Sequence, residues 1–260
     1  MAATRSSVIV SGARTPIGRM LGQLAPLSAA RLGAAAMMAA LARAGVSPEA
    51  VEQVIVGQVL QAGAGQAPAR QAAVAAGLPM SVPAITINKV CLSGLTAIAL
   101  ADQLIRAGEF DIVVAGGMES MTNVPHLLPG LRAGRKYGSV EVFDALFHDG
   151  LTDSFDQLAM GASTEKHNPR FGITRADSDA FAARSHRLAA AATADGVFDA
   201  ELTPVTVTGR RGETRANGTV TVSTDEGIRP DTTTESLAAL PAAFALGGSI
   251  TAGSSSQISD

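Results

Sequence analysis

Residues 84–98 read Ala-Ile-Thr-Ile-Asn-Lys-Val-Cys-Leu-Ser-Gly-Leu-Thr-Ala-Ile, and this stretch decides the fold. The β-branched residues up to position 88 predict a strand, whereas Leu95, Ile98 and Ile105 recur on one face of a predicted helix. The chain therefore passes from a strand into a helix around Cys91. A strand followed directly by a helix is the repeating unit of layered α/β folds.

Cys91 is the chain's single cysteine. The first turn of a helix presents unpaired backbone N–H groups and the positive end of the helix dipole, and both favour a thiolate. A lone cysteine is more often a small buried hydrophobic residue. The residues around Cys91 favour the other interpretation, a nucleophile at the start of a helix.

The composition is that of a core-forming globular protein, since 47% of the 260 residues are hydrophobic and 17% are charged. One cysteine excludes an internal disulfide framework and predicts a cytoplasmic protein. The first residues lead straight into an apolar run, which leaves no room for a signal peptide. We expect no membrane span, because Ser28, Arg31 and Arg43 interrupt the most apolar helical stretch, and no nucleic-acid binding at a net charge of −3.

Short β-branched runs alternate with longer Ala- and Leu-rich runs up to about residue 120. This alternation predicts a layered α/β domain with a mostly parallel sheet. The expected strands cover residues 8–10, 54–56, 84–88 and 112–115, and the expected helices cover 27–43, 68–76 and the segment after Cys91.

The pattern changes after Gly117, where Gly, Pro and charged residues predict a long surface excursion. Within it we expect helices at 152–168, stopped before Pro169, and from Thr174 to Gly196, with Asp177 completing a capping box. Two strands, 203–208 and 219–224, are expected to be joined by a stretch ending in a turn at Asn217-Gly218. The predicted domains are 1–120, 121–250 and 251–260.

Several short motifs follow one another in a fixed order. They are Arg14-Thr15-Pro16-Ile17-Gly18, the run from Gly57 to Gln71, the Cys91 stretch, the run from Val114 to Met121, Asp149-Gly150-Leu151-Thr152-Asp153 and Thr251-Ala252-Gly253. Together they cover essentially the whole chain and resemble the thiolase family, the acetyl-CoA C-acetyltransferases. The resemblance implies a thiolase-like α/β fold with an inserted α+β loop domain and without the family's C-terminal half.

The resemblance also implies a reaction. Cys91 would accept the acyl group of an acyl-CoA, and the carbanion of a second acetyl-CoA would attack the acyl-enzyme; thiolysis is the reverse. The backbone N–H of Cys91 is the expected donor to the oxyanion of the tetrahedral intermediate. CoA thioesters are substrates here, and neither a cofactor nor a metal is expected.

Seven residues match CoA-contacting positions of the family: Leu151, Met160, Arg229, Ser236, Phe244, Ala252 and Ser256. Taken without the resemblance, Phe244 would be interpreted as a core aromatic residue and Ser236 as a helix N-cap. Ala159 stands where many acetoacetyl-CoA-forming members have a histidine, so the acyl-chain preference stays open.

The chain contains neither the family's Gly-His-Pro motif nor a second cysteine. Two hypotheses follow, the N-terminal part of a working thiolase or a catalytically incomplete fragment with a CoA-binding or oligomerisation role. In both, we expect an open edge of the sheet near the end of the chain. Leu131-Arg132-Ala133-Gly134 resembles the loop through which tetrameric members associate, so a homo-oligomer is expected.

Two other enzyme classes find little support. The turn Ser11-Gly12-Ala13-Arg14-Thr15-Pro16 lacks the G-x-G-x-x-G pattern of a Rossmann oxidoreductase. A Cys-His hydrolase would need a histidine in a suitable context, and none of the four histidines has one.

Overall fold

A computed structural model describes residues 5–208 and 218–260. Its helices are α1 (Ala29–Ala44), α2 (Pro68–Ala75), α3 (Ser93–Ala107), α4 (Met160–Phe171), α5 (Arg175–Ala194) and α6 (Thr234–Ala238). Its strands are β1 (Gln53–Gly57), β2 (Ala84–Ile87), β3 (Val113–Gly117), β4 (His126–Leu127), β5 (Phe143–Asp144), β6 (Val205–Thr208) and β7 (Thr219–Val222). A π-helical segment covers Leu146–Leu151.

The centre of the fold is a parallel sheet in the order β2-β1-β3. All five residues of β1 are buried. Val54 and Val56 pack with α1 and α2 on one face, whereas Ile55 packs with Ala97 and Ala101 of α3 on the other. Successive side chains of a strand point to opposite faces, so β1 holds a helical layer on each side. The predicted layered α/β architecture is confirmed.

The predicted strand at residues 8–10 is wrong. The chain is not a strand there, and Val8, Ile9 and Val10 are 78%, 83% and 68% exposed. A β-branched run becomes a strand only when a neighbour accepts and donates its backbone hydrogen bonds. No neighbouring strand within the described residues pairs with this run, and its apolar side chains stay in solvent.

The predicted helix at 152–168 is also wrong in its bounds. The Asp153 carboxylate accepts hydrogen bonds from the Phe155 and Asp156 amides, at 2.8 and 3.1 Å, which closes a turn instead of a helix. Helix α4 begins at Met160 and contains Pro169. The proline removes one hydrogen bond near the end, and the helix ends three residues later at Gly172, whose φ is +65°.

Helix α5 begins as predicted. The Thr174 side chain accepts from the Asp177 amide, and the Asp177 carboxylate accepts from the Thr174 amide, which is a complete capping box. The antiparallel β6–β7 pair is also confirmed, and Val205, Val207 and Val222 pack against Leu24 and Leu32. The predicted Asn217-Gly218 turn lies outside the described residues at its first position.

Ion pairs join the N-terminal segment to the residues on both sides of the β6–β7 pair. Arg14 donates to both Asp225 carboxylate oxygens, at 2.7 and 3.1 Å, and to Glu201 at 2.6 Å. The Asp225 carboxylate also accepts from the Ile17 amide.

The predicted domain boundaries stay predictions.

One stretch, Val90–Ala107, is long and apolar enough to cross a membrane by length and composition alone, which is weak evidence. It contains α3, whose Ala97 and Ala101 are buried against Ile55 of the sheet. The expectation that the chain has no membrane span stays a prediction.

Candidate active site

Cys91 lies between the end of β2 and the start of α3 and is exposed. Helix α3 begins at Ser93, with Leu92 as its N-cap residue. The cysteine therefore precedes the helix by one residue beyond the cap, and does not occupy the first turn as the sequence suggested. An exposed thiol at this junction is accessible to a substrate.

The residue before the cysteine adopts an unusual backbone conformation. Val90 has a φ of +50°, in the left-handed region that β-branched residues rarely enter. Such a conformation costs about 1–3 kcal/mol and persists only where the surrounding structure enforces it. Residues of this kind are concentrated at functional sites, and this one directly precedes the proposed nucleophile.

Ser93 holds one side of this turn. Its buried hydroxyl accepts from the Lys89 amide at 2.8 Å and donates to the Val90 carbonyl at 2.6 Å. The Ser93 amide bonds the same Val90 carbonyl at 3.0 Å. The first residue of α3 thus fixes the backbone on the N-terminal side of Cys91.

A close approach between β1 and α3 sets the position of the turn. A Cβ added at Gly57 would lie 2.5 Å from the Ser93 carbonyl carbon and from its Cβ, and 2.6 Å from the Gly94 nitrogen. Only a residue without a side chain fits there. Gly94 likewise meets Gly117 of β3, where an added Cβ would lie 3.4 Å from the Gly94 Cα. Glycines on all three elements therefore let the start of α3 rest on the carboxyl ends of β1 and β3.

Glu119 belongs to the same region; it lies in the motif from Val114 to Met121, but its residues alone predicted no role for it. Its carboxylate accepts from the Val59 amide at 2.9 Å and from the Leu60 amide at 3.4 Å. Burial raises the pKa of Glu119 above its ordinary value of 4.5, although the two backbone hydrogen bonds act in the opposite direction. A carboxylate in a run of glycine and apolar residues directly after a strand was the available signal.

The loop domain brings Leu151 and Met160 close to each other. Leu151 is half-buried and Met160 is exposed, and a backbone bridge joins their neighbours Thr152 and Ala159. Gly150 approaches Leu60, since an added Cβ would lie 3.0 Å from the Leu60 Cδ2. Leu60 belongs to the loop that Glu119 bonds, so this part of the loop domain contacts the carboxyl end of the sheet.

Phe244 lies against Gly161, where an added Cβ would overlap its ring. Phe244 is 39% exposed, which excludes the alternative of a core aromatic residue. Ala252 is exposed and follows Thr251, which bridges Ala242 near Phe244. Phe244 and Ala252 are therefore brought into the neighbourhood of Met160.

Ser236 is exposed but its hydroxyl already has partners. It accepts from the Thr233 amide at 3.1 Å and donates to the Thr233 carbonyl at 2.9 Å. Thr233 is the N-cap of α6, and Ser236 is the third helical residue of its capping box. The expectation for Ser236 without the resemblance, a helix N-cap, is therefore wrong, because Thr233 is the N-cap and Ser236 is the third residue of the helix.

Arg229 and Ser256 are exposed. The Arg229 amide donates to His186 Nδ1 at 3.2 Å, which places the loop after β7 on α5. Gln257, the neighbour of Ser256, packs so closely on Gly227 that an added Cβ would overlap its amide group. Arg229 and Ser256 thus flank a contact between the same two chain segments.

Among residues 5–208 and 218–260, no three His, Cys, Asp or Glu side chains are grouped so that they could hold a metal ion. The absence of a cofactor stays a prediction. Within these residues, no hydrogen bond joins any of the four histidines to the Cys91 thiol, so none of them is placed there as an activating base.

The comparisons with known proteins agree on the family. The model of the thiolase N-terminal domain matches residues 7–260. A probable acetyl-CoA acetyltransferase of Mycobacterium leprae is 59% identical over 98% of this chain and 64% of its own length. An acetyl-CoA acetyltransferase of Pseudomonas aeruginosa is 46% identical over 97% of this chain and 63% of its own length.

A solved structure confirms the fold. The crystal structure of the Bacillus anthracis acetyl-CoA acetyltransferase superposes with a TM-score of 0.94 at 36% identity, over 100% of this chain and 64% of that chain. The chain belongs to the thiolase family, in which it corresponds to the N-terminal domain. It spans 64% of the length of the Mycobacterium leprae relative.

Proposed function

We propose that this chain carries the acyl-accepting part of an acetyl-CoA acetyltransferase, with Cys91 as the nucleophile. The observation that carries the proposal is the exposed thiol in a strained turn that Ser93 and Gly57 hold at the start of α3. The relatives that bear this name support the reaction class.

The first half-reaction is a transthioesterification. The Cys91 thiolate attacks the thioester carbonyl carbon, the carbonyl oxygen becomes an oxyanion, and the CoA sulfur leaves with the electron pair of the broken bond. Backbone N–H groups around the turn stabilise the oxyanion, and the Cys91 amide is the proposed donor. The products are an S-acylated Cys91 and free CoA.

The surface that would receive CoA is formed by exposed or half-buried positions of the loop domain: Leu151, Met160, Arg229, Ser236, Phe244, Ala252 and Ser256. Arg229 supplies a guanidinium for a phosphate, and Leu151, Met160 and Phe244 supply apolar contacts for the pantetheine arm. The proposal includes a cytoplasmic protein that assembles as a dimer or tetramer.

The direct test is acyl capture by the chain as it stands. Incubation with acetyl-CoA should add one acetyl group to the peptide that contains Cys91 and release an equivalent amount of CoA, measured by intact-mass and peptide spectrometry. Cys91→Ala should show neither, and Leu246→Ala, which alters an exposed residue outside the proposed site, should behave like wild type. The absence of an acetyl group on Cys91 in the wild-type chain contradicts the proposal.

A second candidate is a CoA-binding role without turnover. It is supported by Met160 and Phe244, which match CoA-contacting positions of the family and are exposed in the loop domain. Calorimetric titration with CoA distinguishes the two. CoA binding without acetylation of Cys91 supports the binding role, and acetylation supports the first proposal.

A further inference from the structure

We propose that Asn88 is a positioning residue for Cys91. Its side chain joins the turn before the nucleophile to the loop that follows β1. The inference rests on the proposed function of Cys91 and adds a residue to it. Asn88 touches no reacting atom in this arrangement, and its role is to keep the Cys91 backbone where the acyl carbonyl must arrive.

The two ends of the Asn88 side chain bond two different segments. Its Oδ1 accepts from the Val90 amide at 2.9 Å, and its Nδ2 donates to the Val59 carbonyl at 3.1 Å. The side chain of one residue thus connects the β2–α3 junction to the β1 loop. Both distances are those of ordinary hydrogen bonds.

Each of the two bonded residues is held on its other side as well. The Val59 amide donates to the half-buried Glu119 carboxylate at 2.9 Å, and the Val90 carbonyl accepts from Ser93. Asn88 therefore occupies the middle of a continuous hydrogen-bonded path from Glu119 through Val59 and Val90 to α3. Because Glu119 follows β3, the path anchors the turn to the carboxyl end of the sheet.

The left-handed conformation of Val90 is the reason the connection matters. A valine at a φ of +50° relaxes to an ordinary conformation unless its neighbours prevent it. Of the two backbone groups of Val90, Ser93 bonds the carbonyl and Asn88 bonds the amide. Loss of the Asn88 side chain frees that amide and lets the Lys89–Val90 peptide rotate about the Val90 φ angle. Misplacement of a reacting group by about 1 Å lowers a rate by as much as about a hundredfold.

The experiment compares three variants of the full chain. Asn88→Ala removes both hydrogen bonds, and Asn88→Asp keeps an oxygen that can accept from Val90 but loses the donor to Val59. Asn123→Ala is the matched control, because its amide bonds the Ala25 and Leu27 carbonyls at 2.9 Å in a different loop. Hydrogen exchange of the Val90 amide and the saturation kinetics of Cys91 acetylation by acetyl-CoA are measured for each.

In Asn88→Ala, we expect exchange at Val90 to rise about tenfold, the equivalent of one hydrogen bond. The maximal acetylation rate should fall tenfold or more, while the acetyl-CoA concentration at half saturation changes less than about twofold. Asn88→Asp should restore slow exchange at Val90 and part of the rate, and Asn123→Ala should leave both at wild-type values.

Unchanged exchange in Asn88→Ala overturns the positioning role, as does an equal effect of Asn123→Ala. A higher half-saturating concentration with an unchanged maximal rate also overturns it, because Asn88 would then bind the substrate. A wild-type chain that transfers no acetyl group overturns the proposed function instead. The exchange arm then still decides whether Asn88 holds the Val90 turn.

Discussion

Replacement of Gly57 by alanine tests how the nucleophile turn is placed. The added Cβ would lie 2.5 Å from two Ser93 carbons, whereas carbon atoms in contact settle at about 3.5–4.0 Å. The overlap is therefore about 1 Å. The atoms it meets are the Ser93 carbonyl carbon and Cβ and the Gly94 nitrogen, none of which can turn away as the end of a flexible side chain can.

The start of α3 must move away from β1 to accept the methyl group. Overpacking of this kind costs about 1–3 kcal/mol, and alanine in a strand regains about 0.5–1 kcal/mol relative to glycine. We expect Gly57→Ala to lower the free energy of unfolding by about 1–2 kcal/mol and to slow acetylation of Cys91 by tenfold or more.

Gly116→Ala is the matched control on the neighbouring strand. An added Cβ at Gly116 has no atom within 4 Å, so this variant should be as stable as wild type or slightly more stable. Urea unfolding followed by circular dichroism measures both. The reasoning is refuted if the two alanine variants unfold at the same urea concentration and acetylate at the same rate.

Three further predictions concern charge and capping. A carboxyl group whose pKa is raised in the folded protein stabilises the fold most at a pH below its pKa in the unfolded chain. The protein should therefore lose stability at Glu119 as the pH rises above about 4.5. Glu119→Gln should remove this loss from the pH profile of the free energy of unfolding. Burial raises the pKa of Asp225, but the hydrogen bonds from Arg14 and Ile17 together lower it by more, so the pKa lies below its ordinary value of 3.8. Its contribution should therefore be present above pH 3.8 and lost as the pH falls further. Asp225→Asn should cost about 2 kcal/mol at pH 7 and little in acid, as urea titrations at both pH values would measure. Thr174→Ala should cost about 1 kcal/mol while Thr174→Ser stays near wild type, and equal thermal midpoints of the two would contradict the capping box.

The elements that the sequence predicted well are those whose local signals and packing agree. Helix α1 ends where Gly45 adopts a φ of +65°, and α5 begins at the Thr174 capping box. In both cases a residue's own chemistry determines the boundary, since glycine enters the left-handed region freely and threonine bonds the first amides of a helix. The parallel sheet followed from the alternation of strand and helix.

The predictions that failed depend on partners distant in sequence. The run Val8-Ile9-Val10 has strong strand propensity but no neighbouring strand within the described residues. The helix expected from Thr152 gave way to a turn because the Asp153 carboxylate competes for the Phe155 and Asp156 amides. Local propensity decides only which backbone conformations are low in free energy. Strand pairing, or competition from side chains for backbone amides, then selects among them.

The sequence by itself determined the family and the place of Cys91 at a strand–helix junction, because motif order and hydrophobic periodicity are properties of the chain. Only the tertiary structure decided how that junction is held. The contact of Gly57 with Ser93 and the hydrogen bonds of Val59 with Glu119 and Asn88 join residues 29 to 60 positions apart. Such contacts exist only once β1, β3 and α3 are packed, since the overlap of atoms and the direction of hydrogen bonds are set by the folded geometry.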